Sequence, residues 1–431
     1  MTVKPTKTER HPQRKCLLTA LLAFAMATFA NAVEPEDLLY YRVGNVSIRP
    51  NFGIGQSYND NVFFRGDEAF FVVNPDGSTS RIEREDDFIT SLSGGASFLL
   101  GRPTGNFLSA NYTYSHRFFH EHTIQNAGGH NLGLRGQIDG ARISIVPTIT
   151  GSNTQAIQNG ANRIAGLSNQ LIERNNLRAD IRTRVQITPK LFSTTTGRYT
   201  LNDIEDGVPL FDTDDLGLTQ GFGFQLRPKV SLSLNGSVGR RSIDPNTATL
   251  GRGSSQNYVG GGFSAEGEFT DRLTGEIRFG IQRLTFSGTS ESFVAPVAGV
   301  TLDYLMGRDI TSSISYTRST FAGIQSANAG GVSDRFSLAI RKPFGTRKNW
   351  IISATGNMNF QTWENSTGLS ADRSNDWISG TLAVQYQIQE WLTSSFSYSV
   401  QSFSSSFSRT GTFGIVDYDV NTISLSMRIG Y

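Results

Sequence analysis

The sequence predicts an all-β fold: a closed antiparallel transmembrane β-barrel of about 18 strands (16–18). Three observations predict it. Apolar and polar residues alternate with period 2 along nearly the whole chain, and short turns alternate with long polar loops. An export signal opens the sequence, and no later apolar run is long enough for a membrane helix.

The composition fits. Of 431 residues, 18% are charged and 37% hydrophobic, too little charge for a disordered chain and too few apolar residues for a helical membrane protein. The 45 glycines, the 11% aromatics and the abundant Ser, Thr and Asn suit a wall in which only every second strand residue meets lipid.

Residues 1–32 read as a secretory signal. Basic residues up to Lys15 precede an apolar run from Cys16 to Ala30, and Ala30-Asn31-Ala32 supplies the small-x-small cleavage pattern. The run falls short of the roughly 20 residues a spanning helix needs. The segment carries five bases (Lys4, Lys7, Arg10, Arg14, Lys15) and one acid (Glu9). Taking these from 39 bases and 37 acids leaves 34 and 36. Such a near-neutral mature chain gives no reason to expect a nucleic-acid partner. The single cysteine, Cys16, goes with the signal, so neither disulfides nor cysteine-held metal are expected. Residues 33–43 then form a short periplasmic segment, and 44–431 form the barrel.

Alternation is clearest at the C-terminus. Ile423, Leu425, Met427, Ile429 and Tyr431 interleave with Thr422, Ser424, Ser426, Arg428 and Gly430. The same holds for Ile378 to Ile388, Leu177 to Ile187 and Val230 to Val238. Eight short turns are expected, near Arg102-Pro103, Asp139-Gly140, Pro189, Pro228, Asp271, Gly307, Gly345 and Gln389-Glu390. Nine longer loops are expected near 57–85, 118–129, 151–172, 203–216, 241–255, 288–297, 321–332, 363–374 and 403–413. Together they give an even strand count, with both termini on the short-turn, periplasmic rim. No fixed-period repeat, plug domain or coiled coil is expected.

With no water to satisfy backbone groups inside the bilayer, strands must close on themselves. The apolar face meets lipid. Trp391, Trp377, Trp350, Tyr304, Phe269, Tyr199 and Phe192 stand near expected strand ends, where aromatic girdles form. The other face turns Arg142, Arg178, Arg182, Arg184, Arg198, Arg278, Arg335 and Arg341 into the lumen, with Asp180 and Glu276. Two readings stay open: cross-wall ion pairs that brace the barrel, or a guanidinium-lined path for an anionic or sugar-like solute.

Candidates for catalysis are weak. His116, His120, His122 and His130 gather near the second long loop, with Glu121 the one carboxylate close in sequence. This reads as an exposed loop rim in preference to a metal site. Serines are too numerous for one to stand out as a nucleophile. Gly260-Gly261-Gly262 and Gly221-x-Gly223 fall within strands, where glycine relieves crowding or permits curvature. No catalytic, metal or cofactor residue is therefore expected, and the chain is read as a non-enzyme.

The stretch from Asn51 to Phe64 contains Tyr58-Asn59-Asp60-Asn61-Val62-Phe63-Phe64. It resembles the opening of the β-barrel porin family often found in exopolysaccharide and capsule loci, where a Tyr-x-Asp-Asn-hydrophobic-Phe run recurs. The resemblance marks Tyr58, Asp60, Asn61 and Phe63 as motif positions. It implies an outer-membrane protein linked to polysaccharide export, with polysaccharide and periplasmic export components as partners. Asp60 and Asn61 suit a tight turn or the capping of backbone donors. The terminal run ending at Tyr431 resembles the signal outer-membrane proteins present to the barrel assembly machinery, and outer-membrane lipid is the surrounding partner. Three functions are weighed: an export channel for extracellular polysaccharide, a general diffusion porin for small polar or anionic solutes, and a membrane-embedded hydrolase. The acidic, aromatic first loop (Asp67, Glu68, Phe70, Phe71, Glu83, Glu85, Asp86) suits either a lid or a surface loop.

Overall fold

The computed structural model describes residues 39–66, 70–73, 79–102, 104–157, 171–205, 210–245, 253–287, 292–322, 330–364, 374–406 and 417–430. The expected signal (1–32), Pro103, Asp67, Glu68 and the terminal Tyr431 lie outside the described residues.

Eighteen of the described strands close one antiparallel barrel. They begin with β2 (Val46–Asn59), β5 (Asp87–Gly101), β6 (Phe107–Phe119), β7 (Ala127–Asp139), β8 (Ile143–Ile157) and β9 (Leu171–Gln186). Next come β10 (Leu191–Ile204), β11 (Phe211–Arg227), β12 (Val230–Pro245), β13 (Ser254–Thr270), β14 (Leu273–Phe286) and β15 (Ser292–Met306). The wall ends with β16 (Ile310–Ala322), β17 (Gly330–Phe344), β18 (Trp350–Glu364), β19 (Ser374–Gln389), β20 (Leu392–Ser405) and β21 (Tyr418–Ile429). Each strand pairs with the next, and β21 returns to β2 from Phe52 opposite Ile429 to Asn59 opposite Thr422. Every strand thereby gains a partner on both sides, which a bilayer demands. Three short strands lie apart: β1 (Tyr41–Val43), β3 (Phe70–Val73) and β4 (Thr79–Ile82). β1 folds back on β2 with Tyr41 opposite Ile48, covering an edge that β21 does not reach. β3 and β4 pair only with each other, within the first long loop.

Eight short connections lie on one rim and nine longer ones on the other, as the sequence predicts. Barrel strands run from 12 to 17 residues. The bilayer needs only about 9–11, so the wall rises beyond the hydrocarbon zone. Side-chain exposure follows the alternation. On β19 to β21, Ile378, Leu382, Phe396, Tyr398, Ile423 and Leu425 are all exposed on the outer face. Threonine and serine fill the positions between. Such a row would be insoluble facing water and is at home facing acyl chains.

Glycine acts where two strands approach closely. A Cβ at Gly262 on β13 would run into the Phe279 carbonyl oxygen of β14, so this seam accepts nothing larger. The aromatic girdle is only part of what the sequence suggests. Trp350 and Tyr304 are exposed near the short-turn rim, and the Trp350 ring lies 5.8 Å from Phe344 and 4.3 Å from Tyr386. Phe192 and Trp377 depart from the expectation, because strand parity turns both inward. Phe192 is 1% exposed, and Trp377 packs 4.9 Å from the buried Phe403.

Candidate functional site

The barrel interior has two unlike walls. The charged wall runs over β9 to β14. On β9, Arg174, Arg178, Arg182 and Arg184 share the face opposite to the exposed Leu177 and Ile181. Arg198 of β10 stands opposite Asp180 in the ladder. Asp180 accepts hydrogen bonds from Arg178 Nε at 2.6 Å and Arg198 Nε at 2.8 Å. Arg182 and Arg184 both reach over the inner surface to Glu266 of β13, each at 3.5 Å. The Arg184 guanidinium also caps the Phe192 ring, 3.7 Å from its centroid, and that ring occupies the space a Cβ at Gly223 would need. Further round, Arg241 Nη2 lies 2.8 Å from Asp215, whose other oxygen accepts from Tyr258 at 2.9 Å. Arg278 meets Glu276 at 3.4 Å.

The three other arginines of the sequence reading stand elsewhere. Arg142 sits in the short turn before β8. Arg335 and Arg341 lie on β17 with no carboxylate partner among the described residues. Arg174, Asp215, Arg241 and Glu266 were missed. Extending the parity of their strands by one or two steps would have found them.

The second wall runs over β18 to β21. Most of its inner positions away from the long-loop rim are amides and hydroxyls, among them Thr355, Asn357, Thr381, Ser397, Ser399 and Ser424. Ser395 and Ser426 hydrogen-bond across the ladder at 2.7 Å, and Ser333 of β17 donates to Asn359 at 2.8 Å.

At the long-loop rim the motif region folds inward. Asp60 accepts from the Asn421 backbone N–H at 2.7 Å and from its side-chain amide at 2.8 Å. Asn61 is fully buried. Its amide donates to the Arg65 carbonyl at 2.7 Å and the Asp419 carbonyl at 2.9 Å, and its oxygen accepts the Arg65 N–H at 2.8 Å. The side chain thus closes a turn in which Phe64 takes φ +53°, a conformation non-glycine residues adopt at a cost of about 1–3 kcal/mol. Val62 and Phe63 bury against Ile89 and Phe119. Phe64 packs on the cluster of Phe403, Tyr418 and Val420. At about 2 kcal/mol per buried side chain, this packing outweighs the strain. Residues 60–66 thus lie against inward-facing positions of β5, β6, β20 and β21 at the long-loop rim. Tyr58 stands at the rim, its hydroxyl donating to Asp86 at 3.0 Å.

A polar chain braces this turn. Arg65 is buried, donates to Glu85 and stacks over Phe63 at 4.5 Å. Glu85 also meets His122 Nε2 at 2.5 Å, and His122 Nδ1 lies 3.1 Å from Asp87. The Asp87 carboxylate, fully enclosed, accepts the backbone N–H groups of His120, Glu121 and His122 at 2.9–3.1 Å. Burial alone pushes the Glu85 carboxyl up. The hydrogen bonds from Arg65 and His122 outweigh it and hold the group below its ordinary range. The four histidines do not converge. His116 and His130 stand beside the exposed Tyr114 and Tyr112, at 3.2 and 2.8 Å from their hydroxyls, while His120 meets Thr90 at 2.9 Å. No group of three metal-ligating side chains occurs among the described residues.

A family described as Putative beta-barrel porin 2 matches residues 130–431. The chain belongs to this family. The match covers β8 to β21 and most of β7, and leaves the Tyr58–Phe63 motif outside it. A porin-like barrel of the outer membrane is thereby established, with lipid around it. Among solved structures the chain is similar to the siderophore receptor PirA of Pseudomonas aeruginosa (10% identity, 89% of this chain and 80% of that one, TM-score 0.42). It is similar also to the FrpB iron transporter of Neisseria meningitidis (9% identity, 93% and 83%, TM-score 0.45). A third is the outer membrane protein OmpT of Vibrio cholerae lacking loop L8 (11% identity, 90% and 100%, TM-score 0.34). No curated protein matches the chain.

Proposed function

We propose that this porin-family barrel is a non-enzymatic channel for hydroxyl-rich solutes, and that its cargo is an exopolysaccharide or capsular polysaccharide on its way out of the cell. The observation that carries the reading is the amide and hydroxyl wall of β18 to β21. Such side chains exchange hydrogen bonds with sugar hydroxyls as readily as with water, so a glycan can slide without a deep trap. The Tyr58–Phe63 resemblance points the same way. A non-catalytic role is supported by His122, whose two ring nitrogens both face carboxylates and whose loop is held by Asp87. Export components on the periplasmic side would deliver the polymer. The barrel assembly machinery would read the strand through Ile423, Leu425, Met427, Ile429 and Tyr431.

Planar-bilayer recording of the purified barrel tests the channel. Stepwise conductance that neutral oligosaccharides reduce is expected, and a barrel silent at every voltage and salt concentration overturns it. Deleting the gene tests the cargo: surface polysaccharide should fall while porin-dependent uptake of small solutes stays unchanged. The opposite result favours a general diffusion porin, a reading the half-exposed arginines also suit.

A further inference from the structure

We propose that Arg174, Arg178, Arg182 and Arg184 form a staircase of binding steps for the carboxylates of an acidic glycan. The proposal rests on the channel reading and narrows its cargo from glycan to polyanionic glycan.

The geometry is that of one strand. Positions 174 to 184 span ten residues of β9, roughly 33 Å of strand at about 3.3 Å per residue. That length carries guanidinium groups from near the long-loop rim to near the short-turn rim. Four cations on one face of one strand repel each other, and among the described residues two carboxylates, Asp180 and Glu266, form ion pairs with them. Asp180 answers Arg178 and Arg198 with short contacts of 2.6 and 2.8 Å. Glu266 alone answers Arg182 and Arg184, from four strands away and at 3.5 Å to each. Those contacts lie at the far limit of a hydrogen bond. Glu266 is therefore a loosely held counter-ion that an incoming carboxylate can replace by bidentate contact. The middle steps are open to the lumen, with the Arg178 and Arg182 side chains 52% and 54% exposed, while Arg184, resting on Phe192, is 34% exposed and Arg174 at the long-loop end is partly buried. Opposite them the β18 to β21 wall is mostly uncharged on its inner face, with Arg428 near the short-turn rim as its charged position. A chain bearing both hydroxyls and carboxylates meets a fitting surface on each side.

The experiment compares three oligomers of similar length on the intact barrel: oligogalacturonate, neutral maltooligosaccharide and polyphosphate. Binding of a fluorescent label on each is read in detergent by anisotropy, and current block is read in bilayers. Oligogalacturonate is expected to bind at least about tenfold more tightly than the neutral oligomer. Arg182→Gln with Arg184→Gln should lose that margin, and Glu266→Gln should widen it. Heat-modifiable gel mobility verifies that each variant is folded. Should a double variant misfold, Arg178→Gln alone is expected to weaken oligogalacturonate binding severalfold. Equal binding of acidic and neutral oligomers overturns the staircase, as does an unchanged margin in the folded variants. Polyphosphate binding that exceeds oligogalacturonate binding overturns the assignment to carboxylates. Because anisotropy needs no current, a barrel that binds oligogalacturonate but never conducts defeats the channel reading and not the staircase. One that conducts without preferring the acidic oligomer does the reverse.

Discussion

The wall from β9 to β14 and the wall from β18 to β21 obey the same alternation and use it for opposite ends. On the first, inward positions carry arginines that depend on carboxylates for partners, and two of them, Arg182 and Arg184, reach four strands away to Glu266. On the second, serine, threonine and amide side chains satisfy each other locally, as Ser395 and Ser426 do at 2.7 Å. The self-sufficient wall is also the one on which the inward turn is bolted, through Asn421, Asp419 and the Phe403–Tyr418 cluster. The difference teaches a division of labour. The hydroxyl-rich wall provides mechanical anchorage and a smooth surface, and the arginine-rich wall provides discrimination.

The largest effect should come from detaching the turn. Asn61→Ala removes three hydrogen bonds of a fully buried side chain and leaves Phe64 strained. A local loss of about 2–4 kcal/mol is expected. Single-channel conductance should rise severalfold and residues 60–66 should become protease-sensitive, with the barrel still heat-modifiable. Unchanged conductance would mean that the turn does not obstruct the lumen, and the anchorage half of the comparison would fall.

The next effect is on the charged wall. Gly223→Ala pushes a Cβ into the Phe192 ring and so displaces the surface on which Arg184 rests. Overpacking of this kind costs about 1–3 kcal/mol. A lowered unfolding midpoint in urea and weaker oligogalacturonate binding should appear together. Weaker binding without any loss of stability would separate Arg184 from its support. Smaller still is a charge placed on the other wall. Ser424→Arg should leave the fold intact and raise chloride preference, read as reversal potential in a salt gradient, by about twofold at low salt and less at high salt. If it shifts selectivity as much as the β9 arginines do, the two walls are not functionally distinct.

Much of this was legible in the sequence because lipid imposes a rule on every second residue. The eighteen strands, the order of short turns and long loops, and the inward parity of Arg178, Arg182, Arg184 and Arg198 all follow from it. What stayed hidden lies where no periodic environment acts. Asn61 meets Asp419 across 358 positions, and Arg182 meets Glu266 across 84, distances no local pattern reports. The four histidines looked like one cluster because they are neighbours in sequence. Two stand beside exposed tyrosines and one is enclosed by loop carboxylates, because a strand and a loop divide them. Phe192 looked like a girdle residue for its place near a strand end, and parity placed it inside.

The smallest expected effect concerns acid. Glu85 holds the turn between Arg65 and His122, with Asp87 on the far side of the imidazole. Its carboxyl lies below the ordinary value of 4.5 when the turn is in place. A depressed carboxyl contributes stability that is fully present above its unfolded value and is lost as pH falls through the folded one. The inward turn should therefore hold at neutral pH and loosen progressively below about 4.5, seen as rising conductance on acidification. Asp60 and Asp87 stand in the same region, and Glu85→Gln isolates the share of Glu85. That variant should start from a looser turn at pH 7 and respond less to acid. An acid response identical to that of the unaltered barrel would remove Glu85 from the brace and leave the anchorage to Asn61, Asp60 and the packing of Val62, Phe63 and Phe64.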